Sequence, residues 1–142
     1  AHAHTGQDDL VGDRVDDLDR HVAQALDAPH NDVLEAFERL HQKRLLVPEP
    51  GDPDRIRMAP PFSGIETPFR VKVQDKLYYA NCAWDMLGIP AALHTDAVID
   101  AVFTESNESV QLEVKNGQIT NYHLLVHFPL PFARWYDDLV FT

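Results

Sequence analysis

The sequence predicts an α+β protein: a helical unit, then a small, mostly antiparallel β-sheet with a short helix carrying Cys82 set against it. Three observations lead there. Apolar residues recur at helical spacing up to about Arg44 and change to strand-like alternation from Phe69 onward. Clusters of Pro, Gly and Asp punctuate the chain from Pro48 to Asp54 and from Ala59 to Pro68. Between two strand-like runs lies an apolar stretch, Tyr78 to Leu93, that contains the single cysteine of the chain.

Taken in order, residues 1–12 carry His2 and His4 and no apolar periodicity, and read as a frayed, disordered tail. From Asp13 to Leu26, Val15, Leu18, Val22, Ala25 and Leu26 fall on one helical face, and Pro29 ends that helix. Asn31 or Asp32 can cap the next helix, in which Val33, Leu34, Phe37 and Leu40 form the expected buried stripe up to Arg44. Leu45 to Val47 and Arg55 to Ala59 are strand candidates around a Pro/Gly/Asp turn. Two helices and a hairpin give residues 13–60 a winged-helix-like organisation.

Residues 61–142 form the expected core domain. Phe69 to Val73 and Leu77 to Ala80 make a hairpin through Gln74-Asp75-Lys76 that delivers the chain to Cys82. Ala97 to Phe103 and the alternating Val110, Leu112 and Val114 are further strands. Asn116-Gly117 is a hairpin turn signal that leads into a strand from Ile119 to Phe128.

Composition narrows the function. The chain has 142 residues, 44% hydrophobic and 25% charged, with a formal net charge of −11. That balance describes a globular chain, and no apolar run approaches a membrane span. The excess of acid argues against nucleic acid and anionic membranes as partners, because phosphate recognition needs a positive face. A winged-helix regulator is therefore a weak reading, although Arg39, His41, Lys43 and Arg44 lie on or beside the second helix. One cysteine cannot make an internal disulfide, which suits a reducing cytoplasm.

The candidate chemistry centres on Cys82 and Asp85. If Cys82 opens a short helix, Asp85 lies one turn along the same face, and Gly88 and Pro90 stop the helix. Backbone N–H groups and the helix dipole then favour the thiolate against its ordinary pKa of about 8.5. One turn would hold a soft nucleophile with a proton donor or acceptor beside it. The competing description is a buried cysteine acting as a small hydrophobe, with Asp85 as a helix-end carboxylate.

Two blocks favour the first description through a resemblance. Cys82-Ala83-Trp84-Asp85 and Pro90-Ala91-Ala92-Leu93, entered from an aromatic strand, resemble the active-site segment of the organomercurial (alkylmercury) lyases. Pro61-Phe62-Ser63 and Thr67-Pro68-Phe69-Arg70-Val71 resemble that family's link between its N-terminal domain and its core. The resemblance implies a protein that captures RHg⁺ on the Cys82 thiolate, with Asp85 relaying a proton to the departing carbon. It implies hydrocarbon and Hg(II) as products, no organic cofactor, and external thiols that accept the mercuric ion. A mercuric reductase is the implied downstream partner.

The family uses a second cysteine. The segment Trp135 to Thr142 resembles the stretch before it, so the sequence is expected to stop just short of that position, either as a truncated form or as a one-thiol relative. A different alignment places His123 near the second site. His123 and His127, four apart on a predicted strand, would share a face and could join Cys82 and Asp85 as metal ligands. The alternative function is accordingly a non-enzymatic soft-metal protein that binds mercury, copper or zinc. A Cys-His hydrolase built from Cys82 and His123 finds no oxyanion-hole motif in support. Trp84, Trp135, Tyr78 and Tyr79 are expected in the core and the pocket wall.

Overall fold

The computed structural model describes residues 15–103, 105–120, 125–135 and 137. The N-terminal tail and His123 lie outside the described residues. Helix α1 (Val15–Leu26) and helix α2 (His30–Gln42) are followed by strands β1 (Val47–Glu49), β2 (Asp52–Ala59) and β3 (Phe62–Ser63). These strands form an antiparallel sheet in the order β1-β2-β3. A second sheet follows, built from β4 (Arg70–Val73), β5 (Lys76–Tyr79), β6 (Ala97–Val102), β7 (Ser109–Lys115) and β8 (Gln118–Ile119). Its order is β5-β4-β6-β7-β8, every neighbouring pair antiparallel, and helix α3 (Asp85–Leu93) connects β5 to β6. The α+β expectation holds in this form.

Several elements differ from expectation, each for a local reason. Helix α2 begins at His30, directly after Pro29, and neither Asn31 nor Asp32 caps it, since both already lie within its first turn. Its predicted stripe is half realised: Val33 is buried, whereas Leu34 and Leu40 are exposed. The first hairpin is shifted, with Leu45 exposed before β1 and β2 reaching back to Asp52. Gly51, at φ +82°, makes the tight turn between them. Of the strand expected from Ile119 to Phe128, only Ile119 lies in β8, Thr120 is outside it, residues 121–124 lie outside the described residues, and residues 125–128 are not strand.

The N-terminal elements share a small core of Ala23, Val33, Val47, Ile56 and Met58. Asp19 is buried there at 2% exposure, and its carboxylate meets His30 Nε2 at 3.0 Å, which pins α1 to the first turn of α2. The second core lies under one face of the five-stranded sheet. Register places Tyr78, Val71, Ile99 and Leu112 in a row across β5, β4, β6 and β7. Met86 and Ile89 of α3 belong to the same cluster, with Val71, Ile89 and Ile99 fully buried. Asn116 and Gly117 both have positive φ, as a two-residue hairpin turn requires.

The two sheets meet at one seam. Phe62, at the end of the first sheet, bridges Ala80, and its ring lies 5.6 Å from that of Tyr78. That seam leads straight to Cys82.

Candidate active site

The approach to Cys82 is fastened by the Thr67-Pro68-Phe69 block. The Thr67 hydroxyl donates to the Ala80 carbonyl at 2.6 Å and accepts the Phe69 N–H at 3.3 Å. Ala80 N–H donates to the Phe69 carbonyl at 2.9 Å, and Ala80 itself is fully buried. A backbone held this way two residues ahead of Cys82 leaves little freedom in where the thiol emerges.

Cys82 stands in the turn before α3, not on the helix. The helix starts at Asp85, with Trp84 as its N-cap residue and no side-chain cap. Met86 N–H donates to the Cys82 carbonyl at 3.2 Å, so the turn has helical character without a complete helical run. The helix also continues through Gly88 and Pro90, which were expected to stop it, and ends at His94 in the left-handed region at φ +51°. Gly88 faces Pro61 so closely that an added Cβ would lie 2.9 Å from the proline Cβ. Pro90 is buried in the helix, where its missing N–H is tolerated because Met86 and Ile89 already anchor the segment in the core.

Cys82 and Asp85 do meet. Both are half-buried, and they share a side-chain hydrogen bond. Burial pushes the Cys82 thiol above its ordinary pKa. The backbone N–H groups of Asp85 and Trp84 work against that rise, while the Asp85 charge and hydrogen bond add to it. The predicted net stabilisation of the thiolate by backbone dipoles is therefore reversed: the dipoles are present, but desolvation outweighs them. Burial also raises Asp85, partly opposed by the hydrogen bond from Cys82. One bond that lowers the carboxyl and raises the thiol has the sign of an S–H group donating to a carboxylate. Burial thus holds both groups toward their protonated forms.

Asn81, just before the cysteine, carries a buried side-chain oxygen with no hydrogen-bond partner among the described residues. Trp84, between the reactive pair, is 56% exposed and stands in a pocket wall, not in the core, the two places its sequence reading allowed. Its ring meets Phe128 edge-on at 6.0 Å, and Phe128 stacks on Trp135 at 5.2 Å. With Pro129, Leu130 and Pro131 these rings line an open cleft of about 750 Å³. Spacing rules did not find this cleft, because Phe128 reads as the end of a strand and residues 129–131 lie beyond it. The run of aromatics and prolines from Phe128 to Trp135 was the available signal.

His127 is exposed, outside any strand. Among the described residues no three His, Cys, Asp or Glu side chains gather into a group able to hold a metal ion. Among those residues, too, no helix is long and apolar enough to cross a membrane.

The family model described as alkylmercury lyase (MerB) matches residues 62–140. Among solved structures, the chain is similar to one described as the crystal structure of the mercury-bound form of MerB2, with a TM-score of 0.57 and 21% sequence identity. The match covers 72% of this chain and 49% of that one, so this sequence spans about half the length of its structural relative. At that identity the likeness is one of fold. No curated protein sequence matches the chain.

Proposed function

The chain belongs to the alkylmercury lyase family, and from that premise we propose that it captures organomercurials on Cys82 and uses Asp85 to protonate the carbon released from mercury. The observation that carries this reading is the placement of Cys82 and Asp85 together, both half-buried, where the turn after β5 enters α3.

The steps follow from where that proton sits. A soft cation such as RHg⁺ prefers a soft sulfur ligand. As the Cys82 Sγ–Hg bond forms, the thiol proton passes along the existing hydrogen bond to Asp85, and the substrate's previous anionic ligand leaves. Asp85 is then a neutral acid beside the carbon–mercury bond, in surroundings that already raise its pKa. The bond breaks with its electron pair on carbon, the Asp85 proton forms the new C–H bond, and hydrocarbon departs. Mercury(II) stays on Cys82 with the Asp85 carboxylate as counter-charge. An external thiol binds mercury and gives its proton to Asp85, which releases it to solvent, and a second thiol displaces Cys82, its proton restoring the free thiol. The Hg(II) dithiolate so formed is a suitable cargo for a mercuric reductase. No organic cofactor takes part.

His123 remains a candidate additional ligand of the product ion. Residues 13–60 are read as a winged-helix-like domain that braces the core, which residues 61–142 form. Strand β3, within the second segment, pairs with β2 of the first and so ties the two together.

The test is benzene release from phenylmercury in excess small thiol. Native protein should release benzene, Cys82→Ser should release none and bind no mercury, and Asp85→Asn should bind phenylmercury but release benzene at least 100-fold more slowly, in keeping with a lost general acid. A second reading, a soft-metal protein without turnover, draws on the presence of one cysteine in the chain. It predicts mercury bound to Cys82 and no benzene from the native protein.

A further inference from the structure

We propose that the cleft formed by Trp84, Phe128 and Trp135 is a seat for the organic group, and that it makes the site selective for arylmercury over short alkylmercury compounds. This inference rests on the proposed capture at Cys82 and adds the substrate class to it.

Three features of the cleft support the assignment. The first is connection. Trp84 lies between Cys82 and Asp85 in the chain, so the residue that forms one wall of the cleft belongs to the same turn as the atom expected to hold mercury. The second is composition. Two indoles, one phenyl ring, two prolines and a leucine line a space of about 750 Å³. That lining offers no charge to a polar ligand, whereas an apolar ring gains from leaving water there. The third is geometry. Trp84 lies edge-on to Phe128 at 6.0 Å and Phe128 is stacked on Trp135 at 5.2 Å. Both are arrangements that aromatic quadrupoles favour, and a further flat ring can extend the series.

Trp84 and Phe128 are exposed, at 56% and 42%, so the face a ligand would cover is open to solvent. A large aromatic side chain left in water beside a reactive pair is an unusual use of a tryptophan, which elsewhere buries most of its area. Linear two-coordinate mercury sets its carbon opposite sulfur. A phenyl group carried that way extends several ångströms beyond the metal, toward a wall built from the residue two positions after Cys82. A methyl group ends at one carbon and gains little from such a wall. Discrimination therefore comes from contact area and ring stacking, while the thiolate and Asp85 treat both substrates alike.

The experiment is a competition. Equimolar phenylmercury and methylmercury, in limiting total amount, are offered to the protein, and each substrate's share is counted as its Cys82 adduct by intact mass plus the benzene or methane it has released. The native chain should favour the phenyl adduct by about tenfold, and Trp84→Ala and Phe128→Ala should each cut that preference about three- to tenfold. Trp84→Phe should keep most of it. Circular dichroism checks that each variant is folded, and the exposure of both side chains makes these substitutions tolerable. An equal phenyl-to-methyl ratio in the native protein, or a ratio unmoved by Trp84→Ala, overturns the cleft assignment while leaving capture at Cys82 intact. Absence of any adduct that Cys82→Ser abolishes overturns the capture reading itself.

Discussion

At the scale of single residues, Cys82 and Asp85 are defined by two opposing influences on one proton. The N–H groups of Trp84 and Asp85 point at the sulfur, yet burial and the nearby carboxylate hold the thiol above its usual range. The consequence is measurable by alkylation with iodoacetamide, which reads the thiolate. Cys82 should react slowly at neutral pH and faster as pH rises through a midpoint above that of a free cysteine. Asp85→Asn removes the charge and the hydrogen bond that raise the thiol, so its midpoint should move down and its neutral-pH rate should increase. An unchanged midpoint would show that the two side chains do not share a proton. Turnover should respond in the opposite sense. Asp85 has a raised pKa, so its acid form survives to higher pH than an ordinary carboxyl and is lost as pH climbs through that raised value. Benzene release per bound phenylmercury should therefore fall on the alkaline side.

At the scale of elements, the Thr67-Pro68-Phe69 turn earns its place by holding the end of β5. Thr67 donates to the carbonyl of fully buried Ala80, where water cannot replace the bond. Thr67→Val keeps the shape and deletes the donor, and should cost about 1–3 kcal/mol. It should also slow mercury capture, since the thiol's exit from the strand is loosened. Thr67→Ser should recover most of both. A Thr67→Val protein as stable as the native one would mean that this hydroxyl is incidental. Helix α3 shows the same dependence on neighbours. Its glycine and proline look like breakers in isolation, but Gly88 admits Pro61 and Pro90 is buried, so packing overrides local propensity.

At the scale of the whole molecule, the site depends on how the two sheets join. The connection runs through Ser63 and Gly64, where the Ser63 hydroxyl donates to the Ile65 carbonyl at 2.8 Å and Gly64 N–H donates to the Arg57 carbonyl at 2.9 Å. A Cβ on Gly64 would collide with the backbone carbonyl of Ile56, which no rotamer change can relieve. Gly64→Ala should therefore destabilise the protein toward the upper end of the roughly 1–3 kcal/mol that overpacking costs. The loss should appear in both heat unfolding and Cys82 reactivity, because β3 would no longer carry Phe62 to Ala80. A thermal midpoint within error of the native value would show that the connection is slack and that the sheets do not depend on it.

The strands β4 to β7 and the Asn116-Gly117 turn were legible from alternation and turn chemistry, because a half-buried strand repeats every two residues whatever surrounds it. The Cys82–Asp85 pairing was legible as well, since a three-residue separation within one turn brings side chains together by local geometry alone. Four things were not. Burial reversed the expected ionisation of Cys82, and desolvation is a property of everything that packs around an atom. Helix α3 began after the cysteine and ran past Pro90, because Ile89 and Met86 were secured by a sheet formed from distant strands. Leu34 and Leu40 proved exposed although their spacing was helical, since periodicity marks a face without saying what covers it. The aromatic cleft joined Trp84 to Phe128 and Trp135, more than forty residues on. Local sequence therefore determined which groups can react and which segments are regular. The tertiary structure decided where the proton rests and what shape of substrate the thiol can receive, because both depend on contacts between residues far apart in the chain.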